Sequence, residues 1–258
     1  MRIRYEIEFD SGSMRLSSPN HSAVINMGLN AVIAGDLEKI IFDAIYAEVL
    51  NQMGSDRREH DFKMIEKRSF SIIDSMLPRD IGYPMRHIVM KIVHSTADFA
   101  MVNLVRYSEG FFQSMVSRLR AGTTIIVDSE MVRSGIYAKP VLNKNKIACY
   151  LNDDETAEIA EQRGITRSAA GIMKGLLKNR NSAIVIGNSP TALDQAITMI
   201  EENGWYDVPV VGVPVGFVNA KSVKDRLMSS SIEHFTVYGH RGGSSVAASI
   251  VNGFGRFL

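Results

Sequence analysis

Ala183-Ile184-Val185-Ile186-Gly187-Asn188-Ser189-Pro190-Thr191-Ala192-Leu193 is the stretch from which the fold is read. Ala183–Ile186 is a short unbroken apolar run, mostly β-branched, which predicts a strand buried on both faces. Gly187 lets the chain turn sharply after it, Ser189 suits a helix cap and Pro190 suits a first helical position. A helix is therefore expected over Thr191–Asn203.

Outward from this unit the same alternation repeats. A helix (Arg167–Lys178) precedes it. Behind it come a strand (Val208–Val213), a helix (Ala220–Ser229), a strand (Phe235–Tyr238), a Gly-rich turn and a last helix running to Asn252. Thr123–Val127 is a further β-branched run of the buried-strand type. Strands alternating with helices of this length make right-handed crossovers, so the fold class is α/β, a mostly parallel sheet with helices on both faces. Upstream lies a helix-rich stretch, Asp61–Met76 and Tyr83–His94 broken at Pro78, then Glu109–Arg120.

Residues 1–57 read as a small α/β appendage, and 58–258 as the main α/β domain. Met1–Asp10 alternates Ile3, Tyr5, Ile7 and Phe9 with charged residues, the pattern of a half-solvated strand. Asp10–Ser13 is a turn, and Met14–Ser17 a short returning strand. From Asp36 the apolar residues Leu37, Ile40, Ile41, Ala44, Ile45 and Val49 recur at helical spacing, with an end near Gly54 and a polar linker over 54–60.

The chain is 45% hydrophobic and 22% charged with a formal net charge of +1, which gives no electrostatic case for nucleic acid or an anionic membrane. No leader or spanning segment is expected, and the cytoplasm is the expected compartment. The single cysteine, Cys149, forms no internal disulfide and reads as a buried strand residue in Lys146–Leu151. No metal-ligand spacing surrounds it or the scattered histidines, so no metal site is expected.

In an open α/β sheet, ligands bind beyond the carboxyl ends of the strands, where helix N-termini gather. That rule directs attention to Asp128–Arg133, Gly187–Thr191, Pro214–Phe217 and Gly239–Ser244. Gly187–Thr191 is either an anion site, through exposed amides and a helix dipole, or a capped helix start without a ligand. Gly239-His240-Arg241-Gly242-Gly243-Ser244 is either a ligand loop, with close backbone approach and an arginine able to clamp a carboxylate or phosphate, or a flexible turn with a solvated arginine. Neither G-x-G-x-x-G nor G-x-x-x-x-G-K-[ST] is present, which argues against a nucleotide. His94, ending an apolar helical stretch, is either a structural histidine or a proton donor working near neutral pH. Asp128 and Ser129 flank a strand end, where either could cap the next helix. The residues alone thus support a multiply carboxylated ligand over a nucleotide.

Taken together and in order, these segments resemble the precorrin-8X (cobalt-precorrin-8) methylmutase family. The matching pieces are Glu66-Lys67-Arg68-Ser69-Phe70-Ser71-Ile72-Ile73, Ile92-Val93-His94-Ser95-Thr96-Ala97-Asp98, Asp128-Ser129-Glu130-Met131-Val132 and Thr166-Arg167-Ser168-Ala169-Ala170. They continue with Gly187-Asn188-Ser189-Pro190-Thr191-Ala192-Leu193, Gly212-Val213-Pro214-Val215-Gly216-Phe217-Val218 and Arg241-Gly242-Gly243-Ser244. The resemblance implies a corrin-precursor macrocycle with several carboxylates as substrate. It implies an isomerase that moves a methyl group from C-11 to C-12 in cobalamin biosynthesis, giving hydrogenobyrinic or cobyrinic acid. No cofactor is implied, cobalt entering only as part of the substrate.

Carried over by position, the resemblance makes His94 the residue that hydrogen-bonds or protonates a ring nitrogen. Ser69 becomes a polar contact near the ring and Arg167 a partner for a propionate or acetate. Asn188, Ser189, Thr191, Arg241, Gly242, Gly243 and Ser244 become carboxylate-binding residues. It also implies a homodimer with substrate at or near the subunit interface. Asp194, His240 and the segment Lys221–Lys224 depart from the family pattern, and residues 1–57 have no counterpart in its compact members. A non-catalytic tetrapyrrole carrier on the same fold is the alternative, and it has no use for His94.

Overall fold

The computed structural model describes residues 6–10, 13–18, 21–26 and 62–258, with side chains from Ile65 onward. The chain divides into two units, Met1–Ile65 and Glu66–Leu258.

In the first unit, β1 (Glu6–Asp10), β2 (Ser13–Ser18) and β3 (His21–Asn26) form an antiparallel sheet in the order β1-β2-β3. Pairing of Asp10 with Ser13 and of Ser18 with His21 leaves two-residue connections, the shortest that join antiparallel strands. The first hairpin follows the expected pattern. The third strand carries no alternation to announce it, since Ala23, Val24 and Ile25 are consecutive. The expected helix from Asp36 and the linker 54–60 lie outside the described residues.

Helix α1 (Phe62–Met76) leads into the second unit, where α2 (Met85–Thr96) and α3 (Ala100–Leu104) follow. Strand β4 (Val105–Tyr107) and α4 (Phe111–Ala121) follow. Then come β5 (Thr124–Val127), α5 (Glu130–Gly135), α6 (Lys139–Leu142), β6 (Lys146–Cys149) and α7 (Asp154–Arg163). The regular alternation is α8 (Arg167–Lys178), β7 (Ser182–Ile186), α9 (Pro190–Asn203), β8 (Val210–Gly212), α10 (Ala220–Ser229), β9 (His234–Val237) and α11 (Ser244–Phe254).

The six strands are ordered β4-β9-β8-β7-β5-β6, all pairings parallel except β4 with β9. All of β7 is buried, as its apolar run requires. Successive residues serve opposite faces. Ala183 and Val185 join the core formed with α2, α4 and α11, and Ile184 and Ile186 join the one formed with α8, α9 and α10. Truncating Ile184 to alanine removes contacts a packed core cannot refill, at a cost of about 2–5 kcal/mol.

Some differences from the sequence reading have local causes. The strand expected over Val208–Val213 is only Val210–Gly212. Pro209 has no N–H to donate, although its carbonyl still accepts from the Ile184 amide. The antiparallel edge strand β4 and short α3 are too brief for a periodic signal, and mostly polar α7 buries only Thr156 and Ala160. Cys149 is half-buried at a strand end rather than fully enclosed.

Topology fixes where a ligand can sit. From β5 the chain runs to β6 on one side and then to β7 on the other. The strand order therefore reverses between β5 and β7, and it is beyond the carboxyl ends of strands at such a reversal that open α/β sheets bind ligands.

Candidate active site

At the reversal point stands Asp128, which follows β5 and is only 2% exposed. Its carboxylate accepts from the Gly187 amide at 3.0 Å, the Asn188 amide at 2.8 Å and the Ser189 amide at 2.7 Å. The amides that made Gly187–Thr191 a candidate anion site are thus occupied by the protein's own anion. Burial pushes the Asp128 carboxyl above its ordinary pKa, outweighing these three bonds, which pull the other way. Ser129, not Asp128, caps α5, accepting from the Val132 amide.

What the second turn leaves free is its side-chain hydroxyls. Ser189 caps α9, accepting from the Ala192 amide, and lies 2.9 Å from the Thr191 hydroxyl. Thr191 in turn is 2.6 Å from Thr166, the cap of α8. The N-termini of α8 and α9 are thereby joined through a hydroxyl chain, and Arg167 stands at the first position of α8. Arg167 is exposed and pairs with no described residue. A cation in the first turn opposes the helix dipole, so its placement favours an anion from outside the chain. Asn188, in the β7 turn, is exposed as well.

The loop after β9 is held from several sides. The Gly243 amide donates to the Val213 carbonyl at 2.9 Å, and the Gly216 amide donates to the His240 carbonyl at 3.1 Å. A Cβ on Gly242, whose φ is +148°, would lie 2.1 Å from the Val213 carbonyl oxygen. Glycine is required there by the protein's own backbone rather than by a ligand. Ser244 starts α11 and its hydroxyl is 3.5 Å from that of Ser129. A side chain on Gly187 would strike Ser244 at its Cα, 2.8 Å away, so the β7 and β9 turns are in close contact. Arg241, expected as a clamp for substrate, spends one guanidinium nitrogen on Asp98 at 2.5 Å.

That ion pair brings α2 to the same edge. Near its other end, Ile88 lies against Gly253, close to the end of α11. The two helices therefore run antiparallel, and α2 delivers its C-terminal residues to the edge where α11 begins. His94 sits in that last turn, exposed, with its ring stacked on Phe70 at 4.9 Å between centroids. Its Nδ1 is 2.9 Å from the Ser69 hydroxyl of α1. When the serine donates, the ring proton sits on Nε2, which has no described partner. Phe70 is steadied from α2 by Lys91, whose ammonium is 4.6 Å from the ring centroid and pairs with Glu66.

Sequence reasoning missed Asp98. Asp98 was visible only as the end of a quoted motif, and its partner lies 143 residues away. Cys149 carries no reactive signature, because burial pushes its thiol up to about 11. Among the described residues no group of three or more His, Cys, Asp or Glu could hold a metal ion, and no helix is long and apolar enough to cross a membrane.

Fold and site together define an α/β protein that presents hydroxyls, an open arginine and a serine-held histidine along the carboxyl edge of a parallel sheet. The chain belongs to the precorrin-8X methylmutase family, whose model matches residues 64–256. It is 36% identical over 191 residues to the cobalt-precorrin-8 methylmutase of Methanothermobacter thermautotrophicus, covering 73% of this chain and 89% of that protein. It is 30% identical to the precorrin-8X methylmutase of Pseudomonas aeruginosa, covering 74% and 94%. A solved precorrin-8X methylmutase related protein superposes with a TM-score of 0.72 at 61% identity, covering 73% of this chain and all of the other. The Thermus thermophilus precorrin-8X methylmutase gives 0.67 at 26% identity, covering 75% and 96%.

Proposed function

We propose that the chain catalyses the methyl shift from C-11 to C-12 of precorrin-8 or cobalt-precorrin-8, giving hydrogenobyrinic or cobyrinic acid in cobalamin biosynthesis. The observation that carries this reading is the exposed His94 ring, held by Ser69 and Phe70 at the edge where the anion-favouring groups gather.

The reaction leaves the atom count unchanged. One carbon–carbon bond to the methyl breaks, another forms, and the conjugated ring redistributes its electrons. A proton lent to a ring nitrogen draws electron density while the methyl moves, and it is recovered afterwards. His94 is the group placed to lend it. Ser69, hydrogen-bonded to Nδ1, orients the imidazole so that Nε2 is the nitrogen open to the macrocycle. No nucleotide, flavin or redox partner enters the step.

The peripheral acetates and propionates are assigned to Arg167 and to the hydroxyls of Ser189 and Thr191, with Asn188 beside them. Arg241 is assigned a carboxylate through the nitrogens not committed to Asp98. Gly242, Gly243 and Ser244 shape the wall on that side. Asp128 consumes the backbone amides after β7, so carboxylate recognition there falls to side chains. A carrier could hold the macrocycle with the same groups, but it has no use for an oriented, exposed imidazole. The reading includes a cytoplasmic homodimer, for which Phe217 and Val218, 89% and 78% exposed beside the β9 loop, are apolar surface.

Mixing the purified protein with cobalt-precorrin-8, or with metal-free precorrin-8, and following the visible spectrum tests the assignment. Conversion to the cobyrinic or hydrogenobyrinic chromophore is expected, and the faster of the two substrates identifies the metallation state. Binding with a static spectrum supports the carrier instead.

A further inference from the structure

Two lysines of the second unit are buried, and they are treated differently. Lys174, 5% exposed, meets the carboxylates of Asp153 and Glu155, each at 2.8 Å. Lys224, in the middle of α10, is 0% exposed and forms no ion pair with any described residue. Its ammonium donates to one acceptor, the backbone carbonyl of Arg241, at 2.8 Å. An ammonium has three protons to place, and no other described group accepts from this one. Burying a charge so thinly compensated is unfavourable, and an apolar side chain of the same length would fill the space at lower cost. Stability therefore does not account for a lysine at this position.

Its single bond falls on a residue with two attachments. The backbone of Arg241 is held by Lys224, and its guanidinium is held by Asp98. Asp98 lies just beyond Ala97, the left-handed cap that ends α2, and its other oxygen accepts from the Ala100 amide at 2.9 Å. A continuous chain of contacts thus runs from α10 through Arg241 to the end of the helix that carries His94. The neighbouring Gly242 and Gly243, with φ of +148° and +123°, impose little conformational preference of their own. The register of this loop must come from outside it.

Resting on the methylmutase reading, we propose that Lys224 is a positioning residue for the substrate site. It fixes the backbone of the loop 239–243, and so the reach of the Arg241 guanidinium relative to His94, for a carboxylate-bearing macrocycle. Burial also draws the ammonium down to about 8 against the opposing influence of Asp225, as expected of a charge the fold holds without compensating it.

The test is K224M, which keeps the length and removes the charge and the bond. Lys221→Met is the control, because Lys221 lies on the same helix but pairs with Asp225. For K224M the expected result is a melting temperature equal to or above that of the wild type. The KM for precorrin-8 should rise at least tenfold while kcat stays within about threefold, and hydrogen exchange over residues 239–243 should be faster. K221M should keep the wild-type KM. Wild-type KM in K224M overturns the proposal. So does a lowered melting temperature with unchanged kinetics on the folded protein, which makes the lysine merely structural. An equal KM rise in K221M also overturns it, pointing to general attraction of a polyanion. Failure of the methylmutase reading is seen separately, as wild-type protein that neither converts nor binds precorrin-8. Loop pinning is then still decided by hydrogen exchange, where unchanged exchange in K224M overturns it.

Discussion

The turn after β7 and the turn after β9 carry the same sequence ingredients: glycine at a strand end, a polar stretch and the start of a helix. They reach opposite physical states. In the first, Asp128 fills the amide nest, so its backbone is closed to ligands and only the hydroxyls of Ser189 and Thr191 remain. In the second, no carboxylate enters the loop backbone, which is hung instead from Val213 and Lys224. An anion-ready turn in a sequence is therefore a statement about donors and not about vacancy. Whether a ligand can use it depends on a residue elsewhere in the chain, here 59 positions before Gly187.

The largest effect expected is on chemistry. His94→Ala should lower kcat on precorrin-8 by about 10²–10⁴-fold, the usual worth of a positioned proton donor, with KM little changed. A kinetic comparison that finds KM altered and kcat intact would move His94 from chemistry to binding.

Next comes the closed turn itself. Asp128→Ala leaves the amides of Gly187, Asn188 and Ser189 without their acceptor, at a cost of about 3 kcal/mol. Thermal melts should show the second unit destabilised, with partial recovery in phosphate buffer as an external anion enters the emptied nest. Equal melting temperatures with and without phosphate would show that the two turns differ in more than occupancy.

Arg167→Ala removes the open cation beside that turn, and KM should rise roughly ten- to a hundredfold, as loss of a charge-assisted contact predicts. The same change should leave the melting temperature steady or slightly raised, since the arginine opposes the dipole of α8.

A further effect is on acid stability. Burial, with Arg256 and Lys91 nearby, lowers His87 to about 4 from 6.5. Between those values the unfolded chain takes up a proton that the folded one refuses, so stability present above pH 6.5 is lost as pH falls toward 4. In melts across that window, His87→Gln should flatten the decline.

Most of the fold was legible because its central strands are short apolar runs set between capped amphipathic helices. Gly187-Asn188-Ser189-Pro190 alone marks a strand end and a helix start. The edge strand β4 was not legible, since Val105-Arg106-Tyr107 is too short to show a period and is ordered by pairing with β9. At the site, His94, Ser69 and Arg167 were named in advance, the latter two only through the family resemblance. The contacts that give these residues meaning join segments far apart in sequence: Asp128 with the β7 turn, Asp98 with Arg241, Lys224 with the Arg241 carbonyl. Pairings of that kind follow from topology and leave no local periodicity. Gly242 shows the converse, a conspicuous glycine whose reason is the Val213 carbonyl 2.1 Å from where its Cβ would stand.

The most direct test is to label the C-11 methyl of precorrin-8 with carbon-13, incubate it with the protein and a doubly labelled competitor, and read the product by NMR and mass. The methyl shift assigned to His94 and the surrounding edge predicts the label at C-12 of hydrogenobyrinic acid, with no exchange of methyl groups between molecules. A label still at C-11 after saturating binding, or one scrambled between substrate molecules, would contradict it.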